Sequence, residues 1–303
     1  MKFYLHSQDI DCGGNMANLW WAINHSLPHQ CRMSIKRESR WEYKTDLIRP
    51  TKEKVKEMVE WADIVIVHGF PCELPVDPDK PLYFWDMCNW ETDKCMSEDY
   101  KENKLNLALE KYKAVITFAP HHAKIFERGT WLPPLFRLDK EVMTPDLTRN
   151  FEGELLICQS PSGDDKNTPE LKTACEEFKN KHLQIKLNVL NELLHDECLA
   201  EKRKHHILFD NIRQGWWGQA GYEALSQGLV VFARLEPDLK QYFENRFGFC
   251  PVEHINNIQE FKDRVLELYN DRHKLKQLCE RNRKFIIEQY PGVVEWLRFM
   301  GTV

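Results

Sequence analysis

The sequence has no GxGxxG fingerprint, GxSxG elbow, HExxH helix or Walker lysine motif. The ready-made signatures of dinucleotide enzymes, serine hydrolases, zinc proteases and P-loop phosphotransferases are therefore all missing. No apolar run approaches the ~18 residues of a membrane span. Met1 leads straight into KFYLH, without the apolar core of a signal peptide. The ten cysteines show neither CxxC pairs nor zinc-finger spacing. That excludes an obvious disulfide framework and leads us to expect reduced, mostly buried thiols in a cytoplasmic protein. Long like-charge blocks are absent, and the formal net charge of −5 excludes a generally basic nucleic-acid coat, though not a local basic groove. Glycine is scarce, with 13 in 303 residues, yet four (Gly215, Gly218, Gly221 and Gly228) fall in DNIRQGWWGQAGYEALSQGLVVF, Asp210–Phe232.

What is present suits two buried cores. Apolar residues make up 42% and aromatics 12% of a chain about twice the length of one domain. Apolar strands alternate with amphipathic helices throughout. Strands are expected at Lys2–His6, Arg32–Ile35, Asp63–His68, Leu82–Trp85 and Ala114–Phe118, with a helix from Asn15 and another over Thr51–Trp61 capped by Thr51. The unbroken apolar runs predict strands buried on both faces, as in parallel sheets. A polar, aperiodic stretch at Leu138–Gly153 reads as an interdomain linker. Alternation then resumes, with strands at Leu155–Cys158, Ile185–Leu190, His206–Phe209 and Leu229–Ala233. A helix over Thr168–Phe178 is expected, with Thr168 as cap, and Asn256–Tyr290 reads as helical with a break near Asp271. The expectation is an α/β chain of two facing Rossmann-like domains, 1–140 and 153–290, with a cleft between them and a closing segment 291–303.

Ligands of such sheets sit at the carboxyl ends of the strands. Asp11-Cys-Gly-Gly-Asn15 follows the first strand and precedes a helix, so Gly13, Gly14 and Asn15 form either an anion-accepting loop or simply a tight turn. In SPSGDDKNT, Lys166 stands just ahead of a helix start, suited to a diphosphate or else a solvated loop lysine. In the glycine-rich stretch, Gly215 and Gly218 bring backbone N–H groups to a helix start. Glu223 lies about a turn and a half further on, flanked by apolar residues that make an idle carboxylate costly. His68 ends a buried strand and is a candidate acid–base group; His121 and His122 are weaker ones. Asp77-Pro-Asp79 matches a DxD pair but lies between prolines and reads as a turn, so no metal is expected. Arg32–Lys54 holds eight Lys/Arg against four Asp/Glu with Trp41 and Tyr43 interleaved, either a solvated loop or a basic-aromatic surface for a nucleic acid.

The passage GWWGQAGYEALSQGLVV resembles the E-G-F-G-L-x-x-x-E-A-M-A-x-G-x-P-V stretch of GT-B glycosyltransferases, in particular the large retaining family of sucrose- and glycogen-synthase-like enzymes. Trp217-Gly218 match Phe-Gly, Glu223-Ala224-Leu225 match Glu-Ala-Met, and Gly228 matches the later glycine. SPSGDDKNT is similar to that family's S-P-x-x-x-K-G-T. The resemblance spans roughly Leu155–Tyr290. It implies a donor site in which Lys166 and the Gly218 turn hold phosphate and Glu223 holds the ribose. Arg213 is the nearest match to a second phosphate-binding cation. The family's first glutamate, which holds the donor sugar, falls on Gly215, and Asp210 or Gln214 are the substitutes at hand. Trp216 is placed either to wall the sugar pocket or to pack.

The function implied is transfer of a sugar from a nucleoside diphosphate sugar, a UDP-sugar by expectation, with no metal or other cofactor. Candidate acceptors are a carbohydrate, a small molecule or a hydroxymethylated base in DNA. In an inverting reaction the base would be His68 or Asp11. The competing reading is a non-catalytic sugar-nucleotide or glycan-binding protein, motivated by the glycine at 215. Oligomeric state is not legible in the sequence.

Overall fold

A computed structural model describes residues 1–7, 15–37, 45–69, 72–86, 110–117, 122–124, 126–161, 166–290 and 292–301. The chain divides into two compact units, Met1–Phe136 with Pro291–Val303, and Arg137–Tyr290.

The first unit is built on parallel strands β1 (Lys2–Ser7), β2 (Gln30–Ile35), β3 (Leu47–Ile48), β4 (Ile64–Gly69), β5 (Leu82–Asp86), β6 (Ala114–Thr117) and β7 (Gly129–Trp131). Their order is β3-β2-β1-β4-β5-β6-β7. Side chains alternate between the two faces. Phe3, Leu5, Ile64, Ile66 and Trp85 pack with Met16, Leu19 and Ile23 of helix α1 (Asn15–Ser26). Tyr4, Val65, Val67 and Phe84 pack with Met58 and Val59 of α2 (Lys52–Trp61) on the other side. Thr51 caps α2 by accepting the Lys54 N–H, as the sequence predicts. The chain passes from β1 to β2 on one side and later to β4 on the other. The carboxyl ends of β1 and β4 thus flank a topological switch point, where Ser7 and His68 are register neighbours.

The second unit alternates strictly. Its elements are β8 (Leu155–Gln159), α3 (Thr168–Asn180), β9 (Ile185–Val189), α4 (His195–Lys202), β10 (Ile207–Asn211), α5 (Gln219–Ser226), β11 (Val230–Ala233), α6 (Pro237–Phe247), β12 (Glu253–His254), α7 (Ile258–Asn270) and α8 (Arg272–Glu288). The strand order β12-β11-β10-β8-β9 puts this sheet's switch point between β8 and β10. Residues of α3, α7 and α8 cover one face through Leu171, Phe178, Phe261, Val265 and Leu275.

Two local expectations change. The cap of α3 is Asn167 rather than Thr168. Asn167 sits in the left-handed region at φ 58°, and its side-chain oxygen accepts the Ile212 N–H at 3.3 Å instead of capping the helix. The stretch 138–153 is packed rather than a free linker. Met143 is buried, Gln227 donates to the Val142 carbonyl at 2.6 Å, and Arg149 donates to the His205 carbonyl at 2.6 Å.

The last helix, α9 (Gly292–Phe299), returns to the first unit. Trp296 is fully buried, meets the Trp85 ring edge-on at 4.3 Å and donates its indole N–H to the Pro133 carbonyl at 2.9 Å. Removing a buried indole of this kind costs about 3–5 kcal/mol. Trp296→Ala should therefore lower the urea midpoint of the first unit's unfolding transition while leaving that of the second in place; a single unchanged transition would contradict this packing role.

Candidate functional site

In the second unit, the carboxyl end of β10 departs from regular pairing. Phe209 pairs with Phe232 and Asn211 with Ala233, which leaves Asp210 as the extra residue of a bulge. A bulge re-aims side chains that would otherwise point to opposite faces. Here it allows Asn211 to donate to Asp210 Oδ2 at 3.2 Å. The other Asn211 contacts shape the following loop: its amide donates to the Trp216 carbonyl at 3.1 Å, and its oxygen accepts the Arg213 and Gln214 N–H groups.

The Asp210 carboxylate gathers the pieces of the predicted phosphate site. Its Oδ1 accepts from Lys166 Nζ at 3.0 Å, and its Oδ2 accepts the Gly218 N–H at 2.8 Å. Both side chains are nearly buried, Lys166 at 9% and Asp210 at 3% exposure, so each charge depends on the other for compensation. Lys166 is held from behind as well, because Gln159 donates to its backbone carbonyl at 2.6 Å. Gln214 Oε1 lies 3.5 Å from Lys166 Nζ. Lys166, Gly218, Gln214 and Asp210 thus converge at the switch point. Arg213 instead pairs with Glu170 on the first turn of α3, at 3.0 Å.

The four glycines of this passage separate into different roles. Gly218 has an ordinary φ of −86°, and a Cβ there would reach nothing closer than Lys166 Nζ at 3.8 Å. A methyl group there would come into ordinary contact with Lys166 Nζ and Asp210 Oδ2, and the bare Cα keeps that approach free of a side chain. Gly221 serves packing, since a Cβ would lie 2.7 Å from the Trp217 ring. Trp217 is a core residue at 1% exposure, in contact with Tyr222 and Phe243, and Trp216 is 7% exposed. Gly228, at φ 67°, ends α5. Gly215, at φ 74°, is crowded by Glu236, whose Oε1 would lie 2.7 Å from a Cβ.

Glu223 projects from α5 into a second buried ion cluster. Oε2 accepts from Lys202 Nζ at 2.7 Å and Oε1 pairs with His195 Nε2 at 2.8 Å. Burial pushes the carboxyl upward, but the Lys202 ammonium and His195 outweigh it and hold its pKa down at about 2. Lys202 and His195 are seven residues apart on α4, two turns along one helix face, a spacing the sequence reading passed over.

In the first unit the polar residues lie at strand ends. Ser7, His68, Asp86 and Thr117 close β1, β4, β5 and β6, and all are buried. Among the described residues, neither ring nitrogen of His68 has a hydrogen-bond partner. The ring stands edge-on to Trp85 at 5.2 Å, and burial lowers its pKa to about 3. Asp86, one residue beyond the expected strand, is the buried carboxylate that sequence reasoning missed; its place directly after an apolar run was the available signal. Asn15 is buried at the start of α1. Asp11, Gly13, Gly14, Trp41, Tyr43 and His121 lie outside the described residues, and His122 opens a short 3-10 turn. Asp77 accepts the Asp79 N–H at 3.0 Å, the turn expected of PVDPDKP. Among the described residues, no helix is long and apolar enough to cross a membrane.

No family model matches the sequence, and neither does any curated protein. Solved structures do match. The structure of HepE from Anabaena in complex with UDP-glucose aligns with a TM-score of 0.70 at 10% identity, over 99% of this chain and 98% of that one. An α-glucosyltransferase in complex with UDP and a 13-mer DNA gives 0.61 at 11% identity, over 99% and 98%. A UDP-N-acetylglucosamine 2-epimerase gives 0.56 at 10% identity, over 100% and 97%. TarM matches over 79% of this chain at a TM-score of 0.57 and 14% identity, and there the chain spans about half, 54%, of the other protein's length. The fold is that of GT-B proteins, an α/β architecture of two Rossmann-like domains, as expected.

The Glu223 cluster yields a stability prediction. A carboxyl held near 2 against an ordinary 4.5 stabilises the fold fully above about pH 4.5, and this contribution is lost as pH falls toward 2. It amounts to something on the order of 3 kcal/mol. Urea unfolding between pH 6 and 3 should show that decline, and Glu223→Gln should flatten it. Lys202→Met should cost about 3–5 kcal/mol by stranding the carboxylate, and Lys202→Met with Glu223→Leu should recover part of the loss. Equal stability of the single and double variants would contradict the pairing.

Proposed function

We propose that this protein is a glycosyltransferase that moves a sugar from a nucleoside diphosphate sugar, in the first instance a UDP-sugar, to an acceptor hydroxyl. The observation that carries the reading is the side-chain-free position at Gly218. It lies over an ammonium, at the amino end of α5, at the switch point of a parallel sheet. Ammonium, helix N-terminus and backbone clearance together suit a diphosphate. Lys166 has three protons to donate, so pairing with Asp210 fixes its position without exhausting it. Glu223 would accept the ribose hydroxyls through lone pairs left over from Lys202 and His195.

In the reaction the bond from the sugar C1 to the β-phosphate oxygen breaks and its electron pair leaves with UDP. A bond from C1 to the acceptor oxygen forms, and the acceptor's proton passes to the departing diphosphate in a retaining transfer or to a base in an inverting one. Lys166 and the α5 terminus stabilise the charge that grows on the departing diphosphate. The buried polar strand ends of the first unit, Ser7, His68, Asp86 and Thr117, suit a hydroxyl-rich acceptor. For an inverting outcome the base would come from Asp11 or His68. Burial lowers the His68 pKa to about 3, so its ring stays neutral and suits an acceptor contact better than proton abstraction. The donor reading needs no metal. A hydroxymethylated DNA base is one acceptor to assay, and its use would show a steep loss of activity with salt.

Two other readings keep the same nucleotide site. Gly215, where the resemblance expects a sugar-holding glutamate, favours a silent binding protein; the 2-epimerase of like fold suggests isomerisation of the donor. Product analysis separates all three, since transfer or hydrolysis releases UDP, isomerisation changes the sugar still attached to it, and binding alone does neither.

Gly218→Ala tests the site itself. Its φ and its contacts tolerate a methyl group, so thermal stability without ligand should hardly change, while the stabilisation of about 2.7 kcal/mol expected from UDP at 100 times its Kd should largely vanish. Unchanged UDP binding in this variant would contradict the proposed phosphate position. Lys166→Ala should weaken UDP binding too, but at a cost in stability, because it strands Asp210.

A further inference from the structure

The glycine at 215 leaves the donor site without the carboxylate expected on that residue, yet a carboxylate occupies the same place. A Cβ on residue 215 would lie 2.7 Å from Glu236 Oε1, 2.8 Å from its Cγ and 3.2 Å from its Cδ. The whole end of the Glu236 side chain therefore fills the volume into which a side chain at 215 would grow. The two residues are also joined through the backbone, where the Glu236 N–H donates to the Gly215 carbonyl at 2.6 Å. Glu236 stands immediately before Pro237, the first residue of α6, so its position is fixed by a helix start. Arg234 clamps it, donating Nη2 to Glu236 Oε1 at 2.8 Å and Nη1 to the Arg213 carbonyl at 3.2 Å. Glycine at 215 and glutamate at 236 form one steric unit. The positive φ and the filled volume exclude a side chain at 215, and what fills that volume is acidic.

A carboxylate beside a diphosphate site is repelled by the phosphates and attracted to neutral hydroxyls. With both oxygens accepting, it suits a vicinal diol. We infer that Glu236, delivered from the β11–α6 connection, is the residue that holds the donor sugar's hydroxyls and sets sugar specificity, in place of a glutamate at 215. This rests on the proposed nucleotide-sugar site. Arg234 holds the carboxylate in place, and the Gly215–Glu236 backbone bond ties the sugar contact to the loop that carries Gln214 and Gly218.

The test is a paired titration of UDP, UDP-glucose, UDP-galactose and UDP-N-acetylglucosamine into the full chain and its Glu236→Gln and Glu236→Asp variants. Glu236→Gln should leave the affinity for UDP unchanged. It should raise the Kd of the preferred UDP-sugar about tenfold to a hundredfold, the effect of losing hydrogen bonds to a charged group. Glu236→Asp should change the ranking among the sugars. Full UDP-sugar affinity and unaltered ranking in Glu236→Gln would overturn the inference. If that variant does not fold, single-deoxy analogues of the preferred sugar decide the matter on the unaltered protein. Loss at two adjacent hydroxyls supports the carboxylate contact, and no loss at any hydroxyl overturns it. Failure of the unaltered protein to bind UDP is a distinct result that overturns the nucleotide site and this inference together.

Discussion

The second unit's site depends on one ion pair, Lys166 with Asp210. The lysine comes from the loop after β8 and the aspartate from the bulge in β10. The Gly218 amide that joins them belongs to the cap of α5, so three elements are registered on a single carboxylate. A buried ammonium without a ligand needs an internal counter-charge, or it would deprotonate or drag water inward. Asp210 supplies that charge and in doing so holds the ammonium aimed at the switch point. Lys166 and the Gly218 amide are therefore held in place without a ligand.

The two units use their strand ends differently. In the second, each carboxylate has its partners: Asp210 has Lys166, Glu223 has Lys202 and the His195 ring, and Glu236 has Arg234. Such pairing gives a charged ligand fixed donors while keeping the ligand-free protein neutral locally. In the first, the ends of β1, β4, β5 and β6 carry Ser7, His68, Asp86 and Thr117, with burial holding the imidazole neutral. These buried ends carry a single ionisable acid and no lysine or arginine among them.

Much of this was legible in the sequence because parallel strands buried on both faces leave unbroken apolar runs. DIVIVH and LVVFA could be placed within a residue, and the polar residue that ends each run marks a carboxyl end. Lys166 and Glu223 were found through spacing relative to a helix start. Asp210 was seen only as a possible stand-in for a sugar contact, because a bulge leaves no mark in composition. Glu236 was missed for a stronger reason. Its relation to Gly215 crosses from the β10–α5 loop to the start of α6, and only the fold brings two positions 21 residues apart into the same volume. The polar stretch 138–153 is mostly exposed or half-buried, yet Val142, Met143 and Arg149 tie it to the rest of the second unit through contacts that composition does not mark.

The most direct measurement of the central claim is a crystal structure of the UDP complex. The account predicts a phosphate oxygen within hydrogen-bond distance of Lys166 Nζ, over the bare Cα of Gly218 and at the amino end of α5, with Lys166 still paired to Asp210. UDP bound elsewhere, or bound with Lys166 out of reach of every phosphate oxygen, would contradict it.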